Sequence, residues 1–376
     1  MKKRLFTAII SIFLLTGIYY FIDQSDLVDG VPKNIKVYDD SGFYYQKLSQ
    51  NSKNAYNLIM KEIYSFPKKI LVPKLNDTEL DDVYEAILYD NTDMFFLKET
   101  CSTYKVSGKT YFYPEYTMSI EKYRSQMKAL EEKESEILPY LKGENDYQTE
   151  LNIHNYVISN CNYSEGVTTV SSSPYGCLVV GKASCEGYSK AIKRLLDRCG
   201  IENYFAMGET QDESDQYVGH LWNIVKINGE FYHLDATWND NNNDNEKLTY
   251  SYFNINDELI QKTHIVEERF LGICNSMSEN YYIKSNLYFN AYDDGFKNIL
   301  SKRIAENANE NISRISFMFS NNDAYRKASD KLINKQEIYR ILDMANMQTD
   351  KEINTQKIIY SLDEKHNIIV LSEYIK

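Results

Sequence analysis

The chain has 376 residues, 43% of them apolar and 14% aromatic, with tyrosine unusually abundant at 33. That is too long for one average domain and apolar enough for two or three buried cores. A formal net charge of −12 leaves no basic face for phosphates, which excludes a nucleic-acid partner and argues against adhesion to anionic lipid by charge. In chain order, Lys2, Lys3 and Arg4 precede an uncharged run, Leu5 to Ile22, that is followed by Asp23, Asp26 and Asp29. A helix of that length spans roughly 27 Å, just adequate for a bilayer core. Basic residues on its N-terminal side keep that end inside and send the rest across. The expectation for residues 1–29 is a membrane anchor, with a cleaved signal peptide as the competing reading. The remainder is then extracytoplasmic, either tethered or secreted.

Residues 30–140 read as a mainly helical module with some strand. Leu48, Ala55, Ile59, Ile63 and Phe66 trace one helix that Pro67 ends. Thr78 is placed to cap a second, through Leu80, Val83, Tyr84, Ile87 and Leu88. Met94 to Leu97, then the stretches around Ser107-Gly108, suggest short strands, and Ser119 opens a long charged helix. Tyr147 to Asn160 is a further amphipathic helix containing His154, which is expected to be a core or boundary histidine. Ser171-Ser172-Ser173 ahead of Pro174 suggests a flexible approach to the next segment.

That segment, Gly176 to Asp240, carries the chemistry. Cys185 stands where an apolar run hands over to a helix marked by Tyr188, Ala191, Ile192, Leu195 and Cys199, with Gly200 at the position after its end. A sulfur at a helix N-terminus faces unpaired N–H groups, which favour the thiolate. Downstream, Asn228-Gly229 is a two-residue hairpin turn. It sets Ile227 opposite Glu230, hence Trp222 opposite Asp235 and His220 opposite Thr237. His220, Trp222, His233 and Asp235 share one face, and His220 lies on a diagonal to Asp235, roughly 7–8 Å away at the backbone. Cys185 as nucleophile, His220 as base and Asp235 as orienter form a workable thiol triad. His233 falls on the same face but further off, and a structural role is assigned to it.

These residues carry a resemblance. CEGYSKAIKRLLDRCGI, then GHLWNIVKINGEFYHLDATWND, with SPYGCLVVGKASCEGY before and YFNINDELI after, resemble the transglutaminase-like superfamily of papain-like thiol enzymes over about Tyr147 to Val266. The resemblance implies an α+β fold, with a Cys-bearing helix packed on an antiparallel sheet that holds the His and the Asp. It implies acyl transfer through a Cys thioester on protein or peptide amides, cell-wall peptide among the candidates. The outcome would be crosslinking, deamidation or peptide hydrolysis. A catalytically silent binding or scaffold module is the alternative. For the N-terminal module it implies a spacing or docking role only.

No cofactor and no structural metal are expected. There is no CxxC pair or zinc spacing, and DNNNDNE (Asp240 to Glu246) lacks the Gly and Glu of an EF-hand loop. The calcium requirement of animal transglutaminases is therefore not carried over. With Cys185 as nucleophile, the other five cysteines (Cys101, Cys161, Cys177, Cys199, Cys274) cannot all pair, and Cys199 is expected to be a buried thiol. Residues 141–275 are read as the catalytic domain and 276–376 as a small α+β domain. That last segment is expected to run from a helix near Asp294, through alternating Ile315, Phe317 and Phe319, to a closing hairpin around Tyr360 and Ile368.

Overall fold

The computed structural model describes residues 42–211, 215–240 and 248–375, and a short hairpin pairing Leu27–Val28 with Val31–Pro32. The expected anchor and nearly all of DNNNDNE lie outside the described residues. No helix among the described residues is long and apolar enough to cross a membrane. The chain divides into two compact units: Met1–Ile137 with Ser164–Arg194, and Leu138–Tyr163 with Leu195–Lys376.

In the first unit, the helix Gln50–Glu62 starts at Ser49, whose Oγ accepts from Ser52 N (3.1 Å). It buries Ala55, Ile59 and Met60 and passes into a 3-10 turn, Ile63–Ser65, which ends where Phe66 turns left-handed (φ 56°) ahead of Pro67. The next helix, Asp77–Asp90, is capped by Asn76 and not by Thr78. Asn76 Oδ1 accepts from Glu79 N (2.9 Å) while Glu79 Oε2 accepts from Asn76 N (3.0 Å). That reciprocal pair satisfies two orphan N–H groups, one more than a threonine alone would. A three-stranded antiparallel sheet has the order Ile70–Val72, Lys109–Tyr116, Leu97–Val106. Its hairpin turns at Ser107 (φ 51°) and Gly108 (φ 80°), the conformation that matches strand twist. Met94, Phe95 and Phe96, expected to begin a strand, instead turn inward, and Phe96 joins Phe66, Tyr116 and Tyr123 in an aromatic cluster. The helix Ile120–Leu141 comes directly after Ser119, as its sequence implies.

The second unit is built on a five-stranded antiparallel sheet. Its strands are β1 (Asn203–Gln211), β2 (Tyr217–Ile227), β3 (Glu230–Leu234), β4 (Phe253–Ile255) and β5 (His264–Val266), in the order β4-β3-β2-β1-β5. Asn228 (φ 53°) and Gly229 (φ 89°) make the β2–β3 turn, and the ladder runs from Ile227↔Glu230 to Asn223↔Leu234 as the turn dictates. It stops there. Thr237, expected opposite His220, lies in a short helix, Ala236–Asn239, that Asp235 caps. A second sheet holds β6 (Tyr288–Phe289), β7 (Arg314–Phe319), β8 (Ile359–Asp363) and β9 (Ile368–Ser372) in the order β6-β7-β9-β8, with only β6–β7 parallel. Phe289, Phe296, Phe317 and Phe319 pack edge-on and tilted beneath it. The fold is α+β.

The helix Asp146–Asn160 brings two polar residues into this unit on one stripe, Glu150 and His154, both fully buried. Glu150 Oε2 accepts from Asn254 Nδ2 (2.7 Å), while Glu150 Oε1 and Asn254 Oδ1 have no donor among the described residues. A single proton on Glu150 gives that amide oxygen its donor and completes a two-way acid–amide pair. Burial, reinforced by Glu279 and Asp146 and opposed by the Asn254 hydrogen bond, pushes the carboxyl up to about 8. Because the folded value is raised, this contribution is full below the ordinary value of 4.5. It declines as pH rises and is gone once pH passes about 8. Glu150→Gln supplies the same donor and acceptor at every pH. Thermal unfolding should show wild type losing stability between pH 4.5 and about 8 more steeply than Glu150→Gln, and parallel curves there would show that Glu150 is already ionised.

Candidate active site

The helix Cys185–Cys199 begins where Tyr188 N donates to Ser184 O (3.0 Å), which makes Cys185 its first residue. Tyr188, Ala191, Ile192 and Leu195 are its fully buried stripe. It closes with Gly200 in the left-handed region (φ 78°), Gly200 N donating to Asp197 O and Ile201 N to Leu196 O (both 3.0 Å), the paired bonds of a glycine C-cap. Cys185 itself is half-buried in the first turn, where the helix's N–H groups have no intrahelical acceptor. Cys199, expected to be buried, is also only half-buried.

The Ser171–Ser173 segment is pinned, not flexible. Ser184 N donates to Ser171 O (3.0 Å), Ser171 Oγ to Gly166 O (2.7 Å), and Gly176 N to Ser173 Oγ (3.0 Å). Gly187 makes this approach possible, since a Cβ there would stand 2.2 Å from Ser171 O. Further along the helix, Arg194 forms a buried two-pronged ion pair with Glu134, so both charges are neutralised where water is excluded. A cavity of about 340 Å³ in the same unit is lined by Phe95, Leu97, Thr168, Ser172, Glu186 and Lys190, the last two from the first turns of the Cys185 helix.

His220 and Asp235 are brought together in the second unit. His220 Nε2 lies 2.6 Å from Asp235 Oδ2, and both side chains are buried. Oδ1 of the same carboxylate accepts from Trp238 N (3.0 Å), capping the short helix. One carboxylate thus holds His220 with one oxygen and caps the helix with the other. Burial alone would raise this carboxyl. The charge on His220 and the hydrogen bonds from His220 and His264 outweigh burial and hold it well below the usual carboxylate range. Trp222 stacks on His220 at 5.8 Å between ring centroids and is fully buried.

His233 has the structural role expected of it. Its Nδ1 accepts from Trp222 Nε1 (3.0 Å) and its Nε2 faces Asp257 Oδ1 (2.8 Å), whose Oδ2 accepts from Gly272 N (2.8 Å). It therefore orients the tryptophan that backs His220. His154 Nε2 meets Asn239 Nδ2 (3.0 Å) at the end of the Asp235-capped helix, and burial pushes it down to about 4, so it stays neutral. Among the described residues, two clusters place potential ligand atoms within 4.8 Å of one another, His220–Asp235–His264 and His233–Asp257–Cys274. Two ligands on one zinc ion stand roughly 3.3 Å apart, so the 2.6 Å between His220 and Asp235 is a shared-proton distance. In the second cluster the indole N–H on Nδ1 fixes the His233 proton on Nε2, where an ion would need a lone pair.

His264 is the residue that sequence reasoning missed. Buried on β5, it puts Nε2 3.1 Å from the same Asp235 Oδ2. It reaches that point because Gly208 on β1 has no side chain. A Cβ there would stand 2.0 Å from Ile265 O and 3.2 Å from the Trp222 ring. The one local signal was a histidine opening a three-residue strand, which is too short to fix a face.

Residues 138–236 match the model of the transglutaminase-like superfamily. That match spans Cys185, His220 and Asp235 and stops short of His264. No curated protein matches the chain. Among solved structures, a TGase is 14% identical over 48% of this chain and 52% of its own, with a TM-score of 0.28. A candidate cysteine protease from Cytophaga hutchinsonii is 11% identical over 37% and 61%, with a TM-score of 0.24. A candidate protease from Parabacteroides distasonis is 13% identical over 38% and 36%, with a TM-score of 0.23. The chain spans about half the length of the first of these. By the family match, and with the antiparallel sheet that carries His220 up to an Asp-capped turn, residues 138–236 form a transglutaminase-like core.

Proposed function

We propose that the protein is an extracytoplasmic thiol acyltransferase or peptidase that uses Cys185, His220 and Asp235 on protein or peptide amides. The observation that carries this reading is the 2.6 Å bond between His220 Nε2 and Asp235 Oδ2. An ionised carboxylate only accepts, so Nε2 carries the proton and Nδ1 is the basic nitrogen. Nδ1 takes the proton of Cys185, the first residue of its helix. The sulfur attacks an amide carbonyl, and the N–H of Cys185 helps to hold the oxyanion. The imidazolium then gives its proton to the leaving amine, which leaves a thioester on the sulfur. An amine resolving that thioester crosslinks, and water deamidates or cleaves. Export is supported by the Lys2–Arg4 and Leu5–Ile22 pattern.

The test is incubation with a glutamine-bearing peptide, with and without a primary amine, read by mass. Amine incorporation, deamidation or a cut chain each support acyl transfer and name its branch. A peptide unchanged under all conditions, beside a Cys185 no more reactive than free cysteine, would leave the silent-scaffold reading standing.

A further inference from the structure

Asp235 Oδ2 serves two histidines, and only one is accounted for by the reaction proposed above. We propose that His264 is a positioning residue. Its Nε2–H pins Asp235 Oδ2 beside His220 and draws off part of the carboxylate's charge, so that His220 can accept a proton from the sulfur and still release it. This rests on the triad reading for its purpose, though not for its geometry.

The bonding around His264 fixes its state. An ionised carboxylate oxygen 3.1 Å from Nε2 requires the proton to be there. Nδ1 is then the acceptor and takes the hydroxyl of Thr263 at 2.8 Å, closer than that hydroxyl's alternative on Ile260 O at 3.3 Å. The ring is held by Trp222, Trp238 and Tyr252, with centroids at 5.1, 4.9 and 5.5 Å. The titratable groups around it are Asp235, His220 and His233 together with Tyr252. Burial pushes His264 down, and the neighbouring histidines add to this against the pull of Asp235, so it remains neutral. A neutral donor on Oδ2 draws off part of the carboxylate's charge without cancelling it. A bare carboxylate would bind the His220 imidazolium more tightly and make it a weaker acid toward a leaving amine.

The test compares His264→Gln, which keeps a donor in a similar position, with His264→Phe, which keeps the ring and loses the donor. The readout is the imidazole pKa of His220 followed by NMR in the full-length protein. His264→Phe should raise it by about one pH unit, the differential worth of a charge-assisted hydrogen bond, and His264→Gln should restore the wild-type value. A His220 pKa unchanged in His264→Phe, or shifted equally in both variants, would overturn the proposal. Should His264→Phe fail to fold, His264→Leu, which also removes the donor, should move His220 in the same direction, and no movement there counts equally against the proposal. Because the titration is read without any reaction, a silent Cys185 in wild type would sink the enzyme reading and leave this result to stand or fall by itself.

Discussion

Replacing Cys185 with alanine should abolish labelling by an iodoacetamide probe at neutral pH and reduce acyl transfer by on the order of 10⁴-fold or more. None of the six cysteines is paired in a disulfide, so the selectivity of the label is itself informative. Cys161, Cys177 and Cys274 are buried, and burial pushes the Cys274 thiol far up. Burial, with Asp81 and Glu115, pushes Cys101 up to about 12, and burial also raises Cys199. Cys101, Cys199 and Cys274 are therefore poor nucleophiles at pH 7, since only the thiolate reacts, and Cys161 and Cys177 are shielded by burial. Cys185, half-buried in the first turn of its helix, is the thiol placed to react. Mass mapping of the labelled protein checks this, and full labelling of Cys185→Ala at the wild-type rate would put the nucleophile elsewhere.

Replacing Asp235 with asparagine should cost about 10³- to 10⁴-fold in turnover while the protein remains folded. The carboxylate accepts three hydrogen bonds, from Trp238 N on one oxygen and from His220 and His264 on the other. An amide has one acceptor and one donor end. With its oxygen toward the histidines it turns N–H₂ against Trp238 N–H. With its oxygen toward Trp238 it turns N–H₂ against two imidazole N–H groups and forces the wrong His220 tautomer. In the first orientation the cap is lost, at a further cost of 0.5–2 kcal/mol or so of stability, and in the second it is kept. Kinetics and thermal unfolding on the same preparation separate the two effects. A variant with near-wild-type turnover would show that Asp235 is a cap and nothing more. Since the folded carboxyl lies below its ordinary range, the stability it contributes is present throughout neutral pH and lost only on strong acidification.

Much of the site was legible because its determinants are local. Asn228-Gly229 permits only one common turn, and that turn counts residues from Ile227↔Glu230 outward, so the nearness of His220 and Asp235 comes from arithmetic on a pleated strand. The Cys185 helix was legible for the same reason, with its stripe and its terminal Gly200 lying within one segment. The hidden features depend on partners distant in sequence. Asp235 was expected in a ladder that ends one residue before it, because its side chain caps the adjoining helix. The flexible approach expected at Ser171–Ser173 is pinned by Ser184, Gly166 and Gly176, bonds that a serine-rich string does not announce. Asn76 outcompetes Thr78 as a cap only because Glu79 answers it. His264 was the least accessible, since its role requires β5 to dock on β1 at a residue without a side chain.

The central claim is that the sulfur of Cys185 is ionised by the histidine that Asp235 holds. The most direct test is the pH dependence of Cys185 alkylation in the full-length protein, beside His220→Ala. Paired with an imidazolium, the wild-type thiolate should react at nearly constant rate well below the free-thiol value of about 8.5, and His220→Ala should react only as pH approaches that value. Superimposable curves, both rising near the free-thiol value, would contradict that claim.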